Sequence, residues 1–215
     1  SRVVVSGSGN VAIYAMEKAT ELGATVVACS DSSGYIYDEN GINIETIKYL
    51  KETNNKRIQE YKKFHSSAKF IDDCTGIWSV DCDIALPCAT QNEIDETAAK
   101  QLIKNNVRAV AEGANMPCTK EAVQVLNDNN VLFAPAKAAN AGGVAVSAME
   151  MSQNSMRLNW TFDEVDEKLQ QVMKEIYKNC IEAAEEYGHP GNIVVGANIA
   201  GFLKVANAMV AHGIR

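Results

Sequence analysis

The sequence lacks several features that would assign a protein to a class at once. Its 20 Lys and Arg residues are outnumbered by 27 Asp and Glu residues, so the net charge is −7. A general nucleic-acid or anionic-membrane surface needs positive patches, and the charge argues against both partners. The chain also contains no targeting pattern and no uninterrupted apolar run of about 18 residues. We therefore predict a cytoplasmic protein that binds neither nucleic acid nor membrane.

Paired cysteines, clustered histidines and nucleophile motifs are missing as well. The six cysteines stand singly, without a C-x-x-C pair, which favours reduced and buried thiols over disulfides. The three histidines have no metal-ligand spacing, so no metal site is predicted. The absence of a G-x-S-x-G motif argues against acyl transfer through an activated serine. Apolar residues make up 47 % and charged residues 22 % of the chain, and this balance excludes disorder.

Short apolar runs alternate with amphipathic stretches over about the first 135 residues. The runs predict buried strands at 3–5, 25–29, 83–86, 107–110 and 131–133. The stretches predict helices at 11–22, 93–104 and 120–127, with Asn92 and Thr119 as N-caps of the last two. The Lys-rich region 44–64 reads as one or two solvated surface helices. Strands alternating with helices are typical of an α/β fold with a mostly parallel sheet.

A different pattern follows Pro135. Residues 137–158 are rich in Ala and Met and predict one long helix, despite the glycine pair at 142–143. Thr161 to Glu164 forms a capping box before an apolar stripe, and residues 196–212 predict a further packed helix. The end of the chain is therefore expected to be a helical tail.

One glycine-rich segment has the pattern of a phosphate-binding turn. Residues 7–12 read G-x-G-x-x-A, directly after a strand and at the start of a helix. Gly7 allows the tight turn, Gly9 lets the backbone approach a pyrophosphate, and Ala12 lets the helix pack closely on the sheet. Asp31 follows at the end of the second strand, where a carboxylate can accept hydrogen bonds from a ribose. This context predicts dinucleotide binding and a Rossmann-like, doubly wound sheet with helices on both faces.

Three later segments are candidates for the rest of the site. Residues 87–92 and 112–117 are small and polar, and each follows a predicted strand end, where ligands bind in open parallel sheets. By spacing alone they fit plain βα turns equally well. The glycines within 140–143 are costly inside a helix and suggest close approach of a ligand or of another segment.

These motifs together closely resemble the hexameric glutamate dehydrogenases. The resemblance is carried by residues 6–12, 86–92, 111–117, 138–144, 150–154 and 196–202. It runs from about Arg2 to Arg215 and covers the family's C-terminal, coenzyme-binding domain. The resemblance thus implies one dinucleotide-binding domain over 1–215, with a core at about 1–135 and a helical extension at about 136–215, and an N-terminal substrate domain absent from this chain.

The resemblance implies reversible deamination of glutamate to 2-oxoglutarate and ammonium, with hydride transfer to NAD(P). It places the proton and iminium steps on a Lys and an Asp of the N-terminal domain, so no catalytic residue is expected in this chain. The residues implied at the coenzyme are Gly7, Ser8, Gly9, Asn10, Val11, Asp31 and Ser32, with Ala89, Thr90, Asn115 and Asn140 near the nicotinamide. Val144 and Ser147 match positions that line the substrate pocket.

The choice between NAD and NADP rests on opposing signals. A carboxylate at Asp31 should repel a 2′-phosphate, which favours NAD. However, residues 30–34 resemble the NADP-linked branch, although residues 34–38 also resemble NAD-linked members. In the NADP reading, the phosphate is held by hydroxyls and a cation drawn from Ser32, Ser33, Lys51, Lys56 and Arg57. The balance favours NADP.

Two alternatives remain open from the sequence. The chain also fits the coenzyme domain of a leucine, valine or phenylalanine dehydrogenase, although a hydroxyl at Ser147 favours an acidic substrate side chain. It further fits a binding module that holds NAD(P) without catalysis, and the chain alone is expected to bind coenzyme without turnover. The family resemblance implies a homohexamer for the full enzyme, and a monomer or dimer for this piece.

Overall fold

The computed structural model describes residues 1–213. Ile214 and Arg215, the end of the segment that carries the resemblance, lie outside the described residues. The chain divides into two compact units, Ser1–Phe133 and Ala134–Arg215. Each unit is described separately below.

The first unit is built on a seven-stranded sheet. Its strands are β1 (Arg2–Val5), β2 (Thr25–Asp31), β3 (Gly34–Tyr37), β4 (Lys69–Ile71), β5 (Ile84–Leu86), β6 (Ala109–Ala111) and β7 (Leu132–Ala134). They lie in the order β4-β3-β2-β1-β5-β6-β7. β1 pairs in parallel with both β2 and β5, and β5 pairs in parallel with β6. β3 runs antiparallel to both β2 and β4. The mixed, mostly parallel sheet confirms the predicted α/β class.

Continuous apolar runs form the central strands because both of their faces are buried. Val3, Val4 and Val5 in β1 are at most 1 % exposed, and β2 carries a similar run from Val26 to Cys29. Helix α1 (Asn10–Glu21) contributes Ala12, Ile13 and Met16 to the buried core. Gly23 follows this helix with a φ of +85°, as expected for a helix end.

Helices α3 (Glu96–Lys104) and α4 (Lys120–Asp128) lie close to the predicted positions. Thr119 caps α4 as predicted, since its hydroxyl accepts a hydrogen bond from the Ala122 amide. The prediction of Asn92 as the cap of α3 is wrong. The Asn92 amide donates instead to the Met116 carbonyl, 3.1 Å away, so residues 92–94 are held by the neighbouring loop. The helix therefore begins three residues later than expected, where the Asp95 carboxylate caps it.

The Lys-rich region 44–64 is not a purely solvated face. It forms three short segments: α2 (Ile44–Lys48), a π-helical turn (Tyr49–Thr53) and a 3-10 segment (Ile58–Lys63). These segments bury Ile47, Leu50, Ile58 and Tyr61 in the core around β1 and β2. Among the lysines, Lys56, Lys62 and Lys63 are exposed, whereas the side chains of Lys48 and Lys51 are 23 % exposed and pair with carboxylates of the first unit.

The second unit is helical, as predicted. Its elements are α5 (Ala136–Ala139), α6 (Gly142–Met156), α7 (Phe162–Glu186) and α8 (Ile193–His212). The single helix predicted over 137–158 is wrong, because the chain leaves helical geometry at Asn140 and restarts at Gly142. The capping box is confirmed: Thr161 Oγ1 accepts from the Glu164 amide, and the Glu164 carboxylate accepts from the Thr161 amide. Helices α7 and α8 pack closely around Cys180, Ala184 and Gly196.

Helix α8 is apolar for much of its length. By length and composition alone, α8 is long and apolar enough to cross a membrane. The mean hydropathy of its most apolar 18 residues is 1.7, and 11 % of these residues are buried. Such a match is weak evidence by itself, because packed helices of other proteins pass the same test. The predicted helix over 196–212 is confirmed, but the prediction that it is packed along its length is wrong. Gly196 and Ala197 are buried, whereas Phe202, Val205, Met209 and Val210 are 58–73 % exposed.

Candidate functional site

The strand order reverses at β1, whose two neighbours are β2 and β5. Connections leave this point in opposite directions, so a crevice opens beyond the carboxyl ends of β1 and β5, where open α/β sheets bind ligands. A cleft of about 430 Å³ lies at this place in the first unit. It is lined by the ends of β1 and β2, by the loop after β5, and by residues of the 3-10 segment Thr75–Ser79.

The turn after β1 is held by hydrogen bonds to both neighbouring strand ends. The Gly7 amide donates to Ser30 Oγ at 2.9 Å, and Ser6 Oγ accepts from the Cys88 amide at 2.9 Å. Gly7 has a φ of +87°, and a Cβ there would lie 3.2 Å from the Cys88 carbonyl oxygen. Glycine is therefore required at position 7 both by the backbone conformation and by the close approach of the β5 loop.

Gly9 is glycine for a different reason. Its φ of −86° is open to any residue, and a Cβ built on it meets no atom within 4 Å. It is the N-cap of α1, it offers no side chain to cap the helix, and the first turn carries no acidic residue. Ala12, in the first turn of the helix, is fully buried. The helix N-terminus thus presents its first amides and their partial positive charge to open space, which suits a phosphate.

Asp31 lies at the end of β2 with its side chain only 5 % exposed. Its Oδ1 accepts hydrogen bonds from the amide and the hydroxyl of Ser33, at 2.7 and 2.5 Å. Its Oδ2 accepts from the Ile58 amide at 3.1 Å and lies 3.7 Å from Lys51 Nζ. Burial raises the pKa of Asp31, but these hydrogen bonds and the charge of Lys51 outweigh it, so the pKa lies below its usual value.

Ser32, the residue after Asp31, lies beside a cationic side chain. Arg57 Nη1 donates to Ser32 Oγ at 2.5 Å, and both residues are exposed. Lys51 and Arg57 together with Asp31 leave one net positive charge beside an exposed hydroxyl. A hydroxyl and a guanidinium at this spacing suit an anion such as a phosphate.

The loops after β5 and β6 are tied to each other. The amides of Gly113 and Ala114 both donate to the Pro87 carbonyl at 3.0 Å. A Cβ on Gly113 would lie 2.5 Å from Cys88 Sγ, so this contact also requires a glycine. Ala89, Thr90 and Asn115 remain exposed on these loops.

Glu93 is a site residue that the sequence analysis missed. Its Oε1 accepts from the amides of Ala89 and Thr90, at 3.0 and 3.3 Å. Burial raises the pKa of Glu93, and hydrogen bonds from Ser6 and these two amides oppose the effect only in part. Glu93 therefore fixes the backbone of the loop that lines the cleft. In the sequence, Glu93 is indicated only by its position shortly after the candidate residues Ala89 and Thr90.

The structure brings together some of the predicted site residues and separates others. Gly7, Ser8, Asp31, Ser32, Ala89 and Thr90 line the cleft. Gly9, Asn10 and Val11 follow directly on α1. Asn140, Val144 and Ser147 belong to the second unit, where Asn140 stands at the break between α5 and α6. Val144 and Ser147 are exposed and lie three residues apart on one face of α6.

Comparisons with known proteins identify the family of the chain. The family model described as Glutamate/Leucine/Phenylalanine/Valine dehydrogenase matches residues 1–213. The chain is 53 % identical over 214 residues to a glutamate dehydrogenase of Bacteroides thetaiotaomicron, covering 98 % of this chain and 48 % of that protein. It is 52 % identical over 216 residues to the NADP-specific glutamate dehydrogenase of Escherichia coli, covering 99 % and 48 %.

Two further similarities bear on coenzyme and fold. An NAD(P)-specific glutamate dehydrogenase of Xylanibacter ruminicola is 52 % identical over 215 residues, covering 99 % of this chain and 48 % of that protein. A crystal structure of Plasmodium falciparum glutamate dehydrogenase matches with a TM-score of 0.95 and 46 % identity, covering 100 % of this chain and 46 % of that chain. The chain spans about half the length of the curated relatives it matches.

Proposed function

Because the chain belongs to the glutamate/leucine/phenylalanine/valine dehydrogenase family, we propose that it is the coenzyme-binding domain of a glutamate dehydrogenase. That enzyme would reversibly convert L-glutamate to 2-oxoglutarate and ammonium. The observation that carries the proposal is the open N-terminus of α1 at Gly9, at the point where the strand order reverses.

The residues around the cleft fit a nicotinamide dinucleotide. The coenzyme would accept the hydride released from the substrate α-carbon. The amides at the start of α1 would hold its pyrophosphate, and the Gly7 turn would place Ser8 beside it. The loop fixed by Glu93 carries Ala89 and Thr90 along the wall of the cleft, which suits the ribose and nicotinamide half. We also propose that Asn115 and Asn140 contact the nicotinamide half of the coenzyme, and this assignment rests on the resemblance alone.

We further propose that the preferred dinucleotide is NADP. Ser32 and Arg57 form an exposed hydroxyl–guanidinium pair at the end of β2, and Lys51 adds a second cation. This arrangement supplies donors for a 2′-phosphate, which NAD lacks. The NADP-specific relative of Escherichia coli, at 52 % identity, supports the same choice.

The proposed substrate contacts lie on α6. Val144 and Ser147 share one exposed face of this helix, and the resemblance implies that both line the substrate pocket. A hydroxyl at Ser147 would donate to the side-chain carboxylate of glutamate. An aliphatic or aromatic substrate would leave that hydroxyl without a partner, which favours glutamate over leucine, valine or phenylalanine.

Isothermal titration of the 215-residue chain with NADP⁺ and with NAD⁺ tests the proposal. We expect both to bind, NADP⁺ more tightly, and we expect no glutamate-dependent reduction of NADP⁺ by this chain alone. Tighter binding of NAD⁺ would overturn the proposed coenzyme preference. Failure of both dinucleotides to bind would overturn the proposed function itself.

We propose a cytoplasmic location because all six cysteines are free and five of them are buried, which fits a reducing compartment. The hexamer implied by the resemblance stays a prediction for the full enzyme. Light scattering on the purified chain would measure the oligomeric state of this half.

A further inference from the structure

We propose that Asp31 is a positioning residue whose carboxylate assembles the 2′-phosphate pocket, so that its presence favours NADP. This inference rests on the proposed function and reverses the role that a carboxylate at a strand end suggests by itself. An acidic group there is expected to accept hydrogen bonds from the ribose hydroxyls and to repel a 2′-phosphate.

The acceptor capacity of Asp31 is already used within the protein. Oδ1 receives two hydrogen bonds from Ser33, and Oδ2 receives one from the Ile58 amide and faces Lys51. A carboxylate offers about four acceptor sites. Three of them take these hydrogen bonds, and the remaining side of Oδ2 faces Lys51 Nζ at 3.7 Å. With its side chain 5 % exposed, Asp31 presents little surface to a ligand.

The two carboxylate oxygens of Asp31 accept hydrogen bonds from the residues that directly follow Ser32 and Arg57, the two proposed phosphate donors. Ser33 follows Ser32 directly, and Ile58 follows Arg57 directly. By binding the Ser33 amide and hydroxyl, Asp31 fixes the turn that presents the Ser32 hydroxyl. By binding the Ile58 amide, it fixes the backbone from which Arg57 extends. The pair Ser32–Arg57, separated by 25 residues, is thereby held from both sides.

The local charge also favours an anion despite the carboxylate. Asp31 contributes one negative charge, and Lys51 and Arg57 contribute two positive charges. Lys51 Nζ lies 3.7 Å from Oδ2 and offsets most of its field, while Arg57 remains exposed. The carboxylate therefore pairs with Lys51 and fixes the backbone next to Arg57 at small electrostatic cost to a bound phosphate.

The substitution Asp31→Asn separates the two roles, since it keeps size and shape but removes the charge. An amide placed at Oδ2 would face the Ile58 N–H with a second donor, and Lys51 would lose its counter-charge. We expect the chain to bind NADP⁺ about tenfold more weakly, the loss typical of one charge-assisted hydrogen bond, and NAD⁺ less than about threefold more weakly. Adenosine 2′,5′-bisphosphate and 5′-AMP, titrated as probes, should show the same split.

Asp38→Asn is the matched control. Asp38 is also buried near the sheet, and its carboxylate accepts from the Asn40 amide and the Ser67 hydroxyl, but it does not line the cleft. This variant is expected to lose stability in urea without changing the ratio of the two dinucleotide affinities. An altered ratio in Asp38→Asn would overturn the inference, because loss of any buried carboxylate would then suffice.

A double-mutant cycle with Arg57→Ala tests the route through which Asp31 acts. If Asp31 acts by placing Arg57, the effect of Asp31→Asn on NADP⁺ affinity shrinks in the Arg57→Ala background. Tighter NADP⁺ binding by Asp31→Asn, or equal loss for both dinucleotides, would overturn the inference while leaving dinucleotide binding by the wild-type chain intact. Binding of neither dinucleotide by the wild-type chain would overturn it together with the proposed function.

Discussion

Gly9→Ala is a perturbation that should weaken coenzyme binding while leaving the fold intact. In the free chain the added methyl group meets no atom within 4 Å, and the φ of −86° suits alanine. The only expected stability cost is the weaker N-cap preference of alanine, about 0.5–1 kcal/mol. Binding is different, because the methyl group would occupy the space through which a phosphate approaches the first amides of α1.

The size of the effect follows from the contact that is lost. A hydrogen bond from a backbone amide to a charged group contributes about 1.5–3 kcal/mol. At about 1.4 kcal/mol for each factor of ten, losing one such bond weakens coenzyme binding by roughly tenfold to a hundredfold. The affinities for NADP⁺ and NAD⁺ should fall together, because both molecules carry the same pyrophosphate. This parallel loss distinguishes Gly9→Ala from a change in the 2′-phosphate corner.

Gly7→Ala is the matched control at the other glycine of the motif. Here φ is +87°, and the new Cβ would lie 3.2 Å from the Cys88 carbonyl oxygen. Left-handed backbone costs alanine about 1–2 kcal/mol, so this variant should unfold at a lower urea concentration. Urea unfolding and isothermal titration of both variants complete the test. An unchanged dissociation constant for Gly9→Ala, or a stability loss as large as that of Gly7→Ala, would refute the reasoning.

Two further predictions concern packing and charge. In α8, Gly196→Ala would press a Cβ against the Cys180 carbonyl oxygen, whereas Gly201→Ala meets no atom within 4 Å. Urea unfolding should show a loss of about 1–3 kcal/mol for the first and a gain of up to about 1 kcal/mol for the second, and equal midpoints would contradict the close helix contact. Burial raises the pKa of Glu93 above its usual 4.5, so its stability contribution is complete below about pH 4.5 and is lost as the pH rises through the raised pKa. As the pH rises above about 4.5, the free energy of unfolding of Glu93→Gln should therefore increase relative to that of the wild type. A difference in unfolding free energy that does not change with pH would contradict this.

The central strands were predictable because their signal is local. β1, β2, β5, β6 and β7 are short apolar runs, and the burial of β1 and β2 on both faces explains why no alternation was needed to find those two. β3 and β4 were missed for the opposite reason. β4 has three residues and takes its strand geometry from pairing with β3, more than 30 residues earlier in the chain. Gly34 permits that pairing, since any Cβ would clash with the Ile71 carbonyl oxygen.

The same distinction applies to the candidate site. The Gly7–Gly9 motif is local, and its turn was predictable from six consecutive residues. The partners of Asp31 were not, because the Ile58 amide comes from a segment 27 residues away, for which the sequence predicted surface helices and a possible phosphate cation but no contact with Asp31. Arg57 was named among three possible cations, and only the folding of that segment brings its guanidinium to Ser32. Contacts between distant segments thus determine the chemistry of this corner.

The acidic chain and the proposed anionic ligand are compatible because charge acts over short distances. At physiological salt the field of an exposed charge falls off over about 8 Å, so most of the 27 carboxylates do not act on a phosphate at the cleft. Asp31, the carboxylate beside the proposed 2′-phosphate donors, is offset by Lys51, and Arg57 stays exposed beside Ser32. A nucleic acid is different, since it contacts a wide surface and meets the whole excess of negative charge. The net charge of −7 therefore argues against extended polyanions and leaves binding of a small phosphate ester to the few groups that touch it.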